Sequence, residues 1–153
     1  MKESDKFMFK EERQRYKVEI VAKEIYPVCP IYEKGDRMTI VEPGIVLEET
    51  DAICLSFLAD LMAYYRALSR GVDPRKMGLK MEGENALIEC HDPGGKYPDY
   101  PTDGGTVVFE IRRVPMTLED YRKYREFDMT KMEKIWNERR ERYLARQKTE
   151  EKR

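Results

Sequence analysis

The chain has 153 residues, 41% of them hydrophobic and 39% charged, with a formal net charge of −1 at pH 7. That length suits one domain, and the charge excess predicts a modest core with solvated extensions. No apolar run comes near the ~18 residues of a membrane span, and the opening MKESDKFMFKEERQR lacks the apolar stretch of a secretory signal, so the sequence predicts a cytoplasmic protein with no membrane partner.

The net charge is unevenly spread. Residues 1–15 carry a net +1, residues 16–114 a net −5 and residues 117–153 a net +3. Phosphate neutralisation needs clustered Lys and Arg, which the acidic centre lacks, so nucleic acid is excluded as its partner. The interspersed charges of the tail are those of a solvated helix. Three segments follow: a polar extension at 1–15, a core domain at 16–114 and a charged helical extension at 115–153.

In chain order, Val18, Ile20 and Ala22 alternate with charged residues from Tyr16 onward and predict a strand. Pro27 and Pro30 bracket an irregular stretch around Cys29. Gly35-Asp36 predicts a turn into a second strand over 37–41, closed by Pro43-Gly44. Thr50 or Asp51 is the expected N-cap of a core helix. Its apolar face is Ile53, Cys54, Phe57, Leu58, Leu61, Met62, Tyr65 and Leu68, with Gly71 as its stop. Residues 85–90 predict a third strand, with Ala86, Ile88 and Cys90 on one face. A Gly/Pro-rich loop spans 92–105, and 106–114 predicts a fourth strand ended by Pro115. Thr117-Leu118-Glu119-Asp120 resembles a capping box opening a helix to about residue 146, with a stripe of Leu118, Tyr121, Tyr124, Met132, Ile135, Trp136 and Tyr143. The fold expected is α+β: a small, mostly antiparallel four-stranded sheet or partial barrel, one core helix, and a long C-terminal helix.

Four residues carry candidate chemistry: Cys29, Cys54, Cys90 and His91. Three thiolates and an imidazole are a tetrahedral zinc set, and three thiolates with a fourth donor can hold an iron–sulfur cluster. No CxxC pair is present, and Cys54 and Cys90 fall on apolar faces, where a free cysteine also serves as a small buried hydrophobe. A third alternative makes Cys54, near a helix start, a nucleophile with His91 as its base. The glycines at 94–95 and 104–105 match no phosphate-loop pattern and predict turns. Tyr26, Tyr32, Tyr97 and Tyr100 fall in the loops near the cysteines, as anchors or pocket walls.

The order Cys29-Pro30-x-Tyr32-x-x-Gly35-Asp36, then Asp51-Ala52-x-Cys54, then Cys90-x-Asp92-Pro93-Gly94, then Gly104-Gly105-Thr106-Val107-x-Phe109-x-Ile111 resembles a family of small proteins. These are single domains of roughly ninety residues, mainly from anaerobic bacteria and archaea. The resemblance covers about residues 16–114. It implies cysteines recurring at positions 29, 54 and 90, and Cys/His alternation at 91, which suits a metal ligand better than a packing position. It assigns no catalytic residue. The leading expectation is a cytoplasmic metal- or iron–sulfur-binding accessory domain of anaerobic metabolism, with Cys29, Cys54, Cys90 and His91 as ligands. The rivals are a non-catalytic subunit that docks on a larger enzyme, and a small cysteine-dependent enzyme. A protein partner or a homodimer is expected through residues 117–146.

Overall fold

A computed structural model describes residues 14–92, 104–124 and 129–150. The chain is α+β, and its sheet has six antiparallel strands where the sequence predicts four. The strands are β1 (Arg15–Tyr26), β2 (Arg37–Val41), β3 (Gly44–Ile45), β4 (Lys80–Glu82), β5 (Asn85–Glu89) and β6 (Thr106–Met116), in the order β3-β2-β1-β6-β5-β4.

The two unpredicted strands are edge strands of two and three residues, too short to show an alternation. β3 returns on β2 through Glu42-Pro43, with Val41 opposite Gly44. β4 returns on β5 through Gly83-Glu84, with Glu82 opposite Asn85. Gly83 has φ +61°, and glycine in the first place of a two-residue loop matches the right-handed twist of the flanking strands.

β1 and β6 form the centre, paired from Arg15–Met116 to Tyr26–Thr106. Val18, Ile20 and Ala22 are buried, as their alternation predicts. The register then slips between Ala22 and Glu24, so that Lys23 is an extra residue and Ile25, not Glu24, packs against the core. A bulge of this kind reverses which parity faces inward and bends the strand. Pro115 does not end β6, which runs on through Met116 with Pro115 opposite Tyr16. β5 pairs with β6 only as far as Ile111, so Pro115 lies beyond the part of the strand that is paired with β5.

The expected core helix is two short ones, α1 (Leu55–Leu61) and α2 (Tyr65–Ser69). Between them Tyr64 N–H bonds Leu61 O, a tighter three-residue step that breaks the α-helical ladder. Neither predicted cap works on α1. The Asp51 carboxylate accepts from Arg37 N–H, while Thr50 Oγ1 accepts from Thr39 N–H and donates to Val46 O, so both bind β2 to its neighbours. Cys54 occupies the N-cap instead, without a side-chain cap bond.

Phe57, Leu61 and Leu68 supply the buried helical face, against Ile20, Met38, Ile88, Val107, Phe109 and Ile111 of the sheet. Phe57 stacks on Phe109 at 3.8 Å between ring centroids, and Tyr32 meets Phe109 edge-on at 5.0 Å. Burying each such ring contributes roughly 1.5–3 kcal/mol. On the opposite surface, Lys23 pairs with Glu82 and Glu110, and Arg112 pairs with Glu110.

Residues 13–117 form one compact unit, and the helices α3 (Leu118–Tyr124) and α4 (Met129–Glu150) belong to a second. The single helix expected over 117–146 is thus described as two segments, with residues 125–128 outside the described residues. The expected stripe is only partly described. Tyr143 is 61% exposed, Ile135 is half-buried, and the side chains of Leu118, Met132 and Trp136 lie outside the described ones. No helix among the described residues is long and apolar enough to cross a membrane.

Candidate functional site

Three distant points of the chain meet at one cavity of about 260 Å³. Its walls include Cys29 from the loop after β1, Cys54 from the N-cap of α1, and Cys90 from the end of β5. Local structure explains each position. The bulge at Lys23 bends the end of β1, and the proline-bracketed loop that follows brings Cys29 over the core. Cys90 continues the inward parity of Ala86 and Ile88, and its N–H still bonds Val107 O past the end of the strand. Cys54 starts the helix that buries Phe57 at the base of the cavity.

The sulfurs sit among backbone donors. Cys29 Sγ accepts from the N–H groups of Ile31 at 3.4 Å and Tyr32 at 3.3 Å. Cys90 Sγ accepts from Val107 N–H at 3.2 Å and donates to Gly105 O at 3.7 Å. Tyr32 links two of the thiol positions, because its hydroxyl oxygen accepts from Cys54 N–H at 3.1 Å. Burial pushes the Tyr32 phenol up to about 12. The Cys54 N–H opposes that shift, and the nearby Cys54, Cys29 and Asp36 add to it.

Glycine permits the closure. A Cβ on Gly105 would lie 2.3 Å from Tyr26 O and 2.5 Å from Val28 O, so the strand that carries Val107 lies directly against the backbone leading to Cys29. Gly104 makes room in the same way for the Asp92 carboxylate, whose Oδ2 would be 3.2 Å from a Cβ there.

His91 stands apart from the three cysteines. Its N–H and its ring Nδ1 both bond Asp60 Oδ2 at 2.9 Å, its ring is 58% exposed, and it is not among the walls of the cavity. Its described hydrogen bonds reach no cysteine, so the Cys54–His91 nucleophile pair has no contact to rest on. Asp60 itself lines a second, open groove of about 690 Å³, with Tyr26, Tyr64, Lys80 and Glu89. Asp92 lines the thiol cavity in place of His91. The expectations for Tyr97, Tyr100 and the glycines at 94–95 lie outside the described residues. Asp92, Gly104 and Gly105 also line the cavity, and in the sequence they stand out as turn chemistry and as landmarks of the resemblance, not as site residues.

No family model, curated protein or solved structure matches this chain. The arrangement itself must therefore bear the functional weight. It sets three thiols, the Asp92 carboxylate, Ser56 and Tyr32 around a space whose apolar walls include Pro30, Ile31, Phe57, Val107 and Phe109. As placed, no group of three His, Cys, Asp or Glu side chains among the described residues is set to hold a metal ion. The thiols share a cavity but, as placed, no coordination sphere. The residues fit a metal in kind, since soft sulfur donors select zinc, copper(I) and iron–sulfur centres.

Proposed function

We propose that this chain is a thiolate metal-binding accessory domain, taking zinc or an iron–sulfur cluster through Cys29, Cys54 and Cys90. One observation carries the reading: cysteines 25 and 36 residues apart in the chain line the same small cavity. A set of structural cysteines has no need to converge. The amide N–H groups directed at Cys29 and Cys90 add support, because hydrogen bonds to sulfur tune thiolate-held centres. Bound there, zinc would supply folding energy and a cluster would supply one-electron transfer.

The accessory role rests on the surroundings. Val28 and Ile31 beside Cys29, and Ile53 and Leu55 beside Cys54, are exposed, with Leu55 at 83%. Exposed apolar side chains next to a cavity suit contact with another protein. Tyr143 and Leu144 are likewise exposed on α4, which favours the alternative of an interaction subunit that uses its C-terminal helix. The test is metal and sulfide analysis of full-length protein purified without oxygen, with its ultraviolet–visible spectrum. The reading expects near-stoichiometric metal that is lost in the Cys29→Ser, Cys54→Ser and Cys90→Ser variants. Equal metal content in the wild type and the triple variant would refute it.

A further inference from the structure

We propose that Cys29 and Cys90 are a peroxide-reactive dithiol: hydrogen peroxide entering the cavity oxidises Cys29, and Cys90 resolves the product to a Cys29–Cys90 disulfide. This pair needs two sulfurs and no ion, so it stands apart from the metal reading above.

The two thiols meet at one glycine pair. Cys90 Sγ lies 3.7 Å from Gly105 O and 3.2 Å from Val107 N. The residues on either side of Cys29 touch the same pair. Val28 O stands 2.5 Å from the place of a Cβ on Gly105, and Pro30 Cδ stands 3.4 Å from that of a Cβ on Gly104. Cys54 is reached from Cys29 only through the length of Tyr32, whose N–H is directed at Cys29 Sγ and whose hydroxyl oxygen accepts from Cys54 N–H. All three cysteines are free and half-buried. Their cavity of about 260 Å³ has room for a molecule of two oxygens, where one water takes about 30 Å³.

The hydrogen bonds assign the roles. Cys29 Sγ only accepts, from the successive N–H groups of Ile31 at 3.4 Å and Tyr32 at 3.3 Å. Successive backbone N–H groups make a concavity that holds negative charge, which suits an attacking thiolate. Cys90 Sγ accepts from Val107 N–H and also donates to Gly105 O, so it keeps its proton until Cys29 has reacted. The Cys29 thiolate attacks one peroxide oxygen; an S–O bond forms, the O–O bond breaks and hydroxide leaves to take up the proton that Cys29 lost. Cys90 then attacks the Cys29 sulfur; the S–S bond forms, the S–O bond breaks, and the departing oxygen leaves as water with the Cys90 proton. In sum, two thiols and one hydrogen peroxide give one disulfide and two waters, with two electrons passing from sulfur to peroxide. The walls formed by Phe57, Val107 and Phe109 favour a neutral oxidant over a charged one.

The test treats dilute, reduced full-length protein with equimolar hydrogen peroxide, a chelator being present so that no ion occupies the thiols. Thiol counts and non-reducing peptide maps are the readouts. Free thiols should fall from three to one per chain, with a Cys29–Cys90 link in the wild type and in Cys54→Ser. Cys90→Ser should stop at a sulfenic acid on Cys29 that dimedone captures, and Cys29→Ser should lose both the link and the captured product. Circular dichroism melts establish that each variant folds, and Cys29→Ala and Cys90→Ala stand in for a serine variant that does not. A link that includes Cys54, a Cys29→Ser chain oxidised at Cys90 at the wild-type rate, or a wild type that keeps all three thiols would overturn the proposal.

Discussion

Gly105→Ala is the most direct test of how the thiol cavity is assembled. Ordinary contact at a Cβ begins near 3.4 Å, and the added methyl would stand at 2.3 Å from Tyr26 O and 2.5 Å from Val28 O, short by 1.1 Å and 0.9 Å. Both obstacles are backbone, so no rotamer change relieves them. Either the loop that carries Cys29 lifts away or the last pair of the central ladder, Tyr26–Thr106, opens. Overpacking of this kind costs about 1–3 kcal/mol, and in a domain of this size each kilocalorie lowers the melting temperature by roughly 4–8 °C. Gly104→Ala is the matched control. Its Cβ would meet only side-chain atoms, Asp92 Oδ2 at 3.2 Å and Pro30 Cδ at 3.4 Å, which need give by a few tenths of an ångström where backbone cannot, so its melting point should fall less than that of Gly105→Ala. Thermal melts by circular dichroism, paired with the rate of thiol modification, separate the two effects. Gly105→Ala should melt at least about 5 °C lower and modify faster at Cys29 and Cys90. A Gly105→Ala chain that melts with the wild type and modifies at the same rate would refute the close-approach reasoning.

The remaining predictions concern the packing around that cavity. Tyr32 keeps its proton in the folded state up to about pH 12, against 10 when unfolded. Between those values the unfolded chain binds fewer protons, so stability should fall as pH rises through that window, by at most about 3 kcal/mol; urea titrations of Tyr32→Phe should lose this slope. Ser69 Oγ is buried with no hydrogen-bond partner, so Ser69→Ala should stabilise the fold by about 1 kcal/mol, visible as a higher urea midpoint. The Glu42 carboxylate accepts from Arg15 at 3.1 Å and from Arg70 at 3.0 and 3.2 Å, with Arg66 at 3.6 Å. Glu42→Gln should cost about 1 kcal/mol at low salt and less in 1 M salt, because Arg66 and Arg70 are largely solvated.

Much of the sheet was legible because its signals are local. Val18-Ile20-Ala22 and Val107-Phe109-Ile111 alternate as half-buried strands must, and both are inward in the structure. What escaped depends on distant parts of the chain. Lys23 as a bulge has no residue signature, and it is defined only by its register on Val108 and Phe109. Thr50 and Asp51 have the chemistry of helix caps, yet β2 lies close enough to claim both side chains. Pro115 reads as a stop, but β6 carries it beyond the part of the strand that is paired with β5. At the site, the three cysteines stood out by type, and their shared cavity follows from pairings that no spacing encodes. His91 was attractive as the lone histidine, and Asp60, 31 residues away, is what draws it off.

The pairing of β1 with β6 sets the order in which this protein can be made. The two strands at the centre of the sheet are the first and last of the domain, so Arg15 must wait on the ribosome's delivery of Met116 before its own ladder exists. Non-local pairings of this span are closed late, at an entropic cost that short-range contacts do not bear. Cys29 and Cys54 therefore emerge into solution well before Gly105 and Val107 arrive to complete their enclosure. The two thiols are therefore made before the strand that encloses them, and their shared cavity is a product of the last pairing to form.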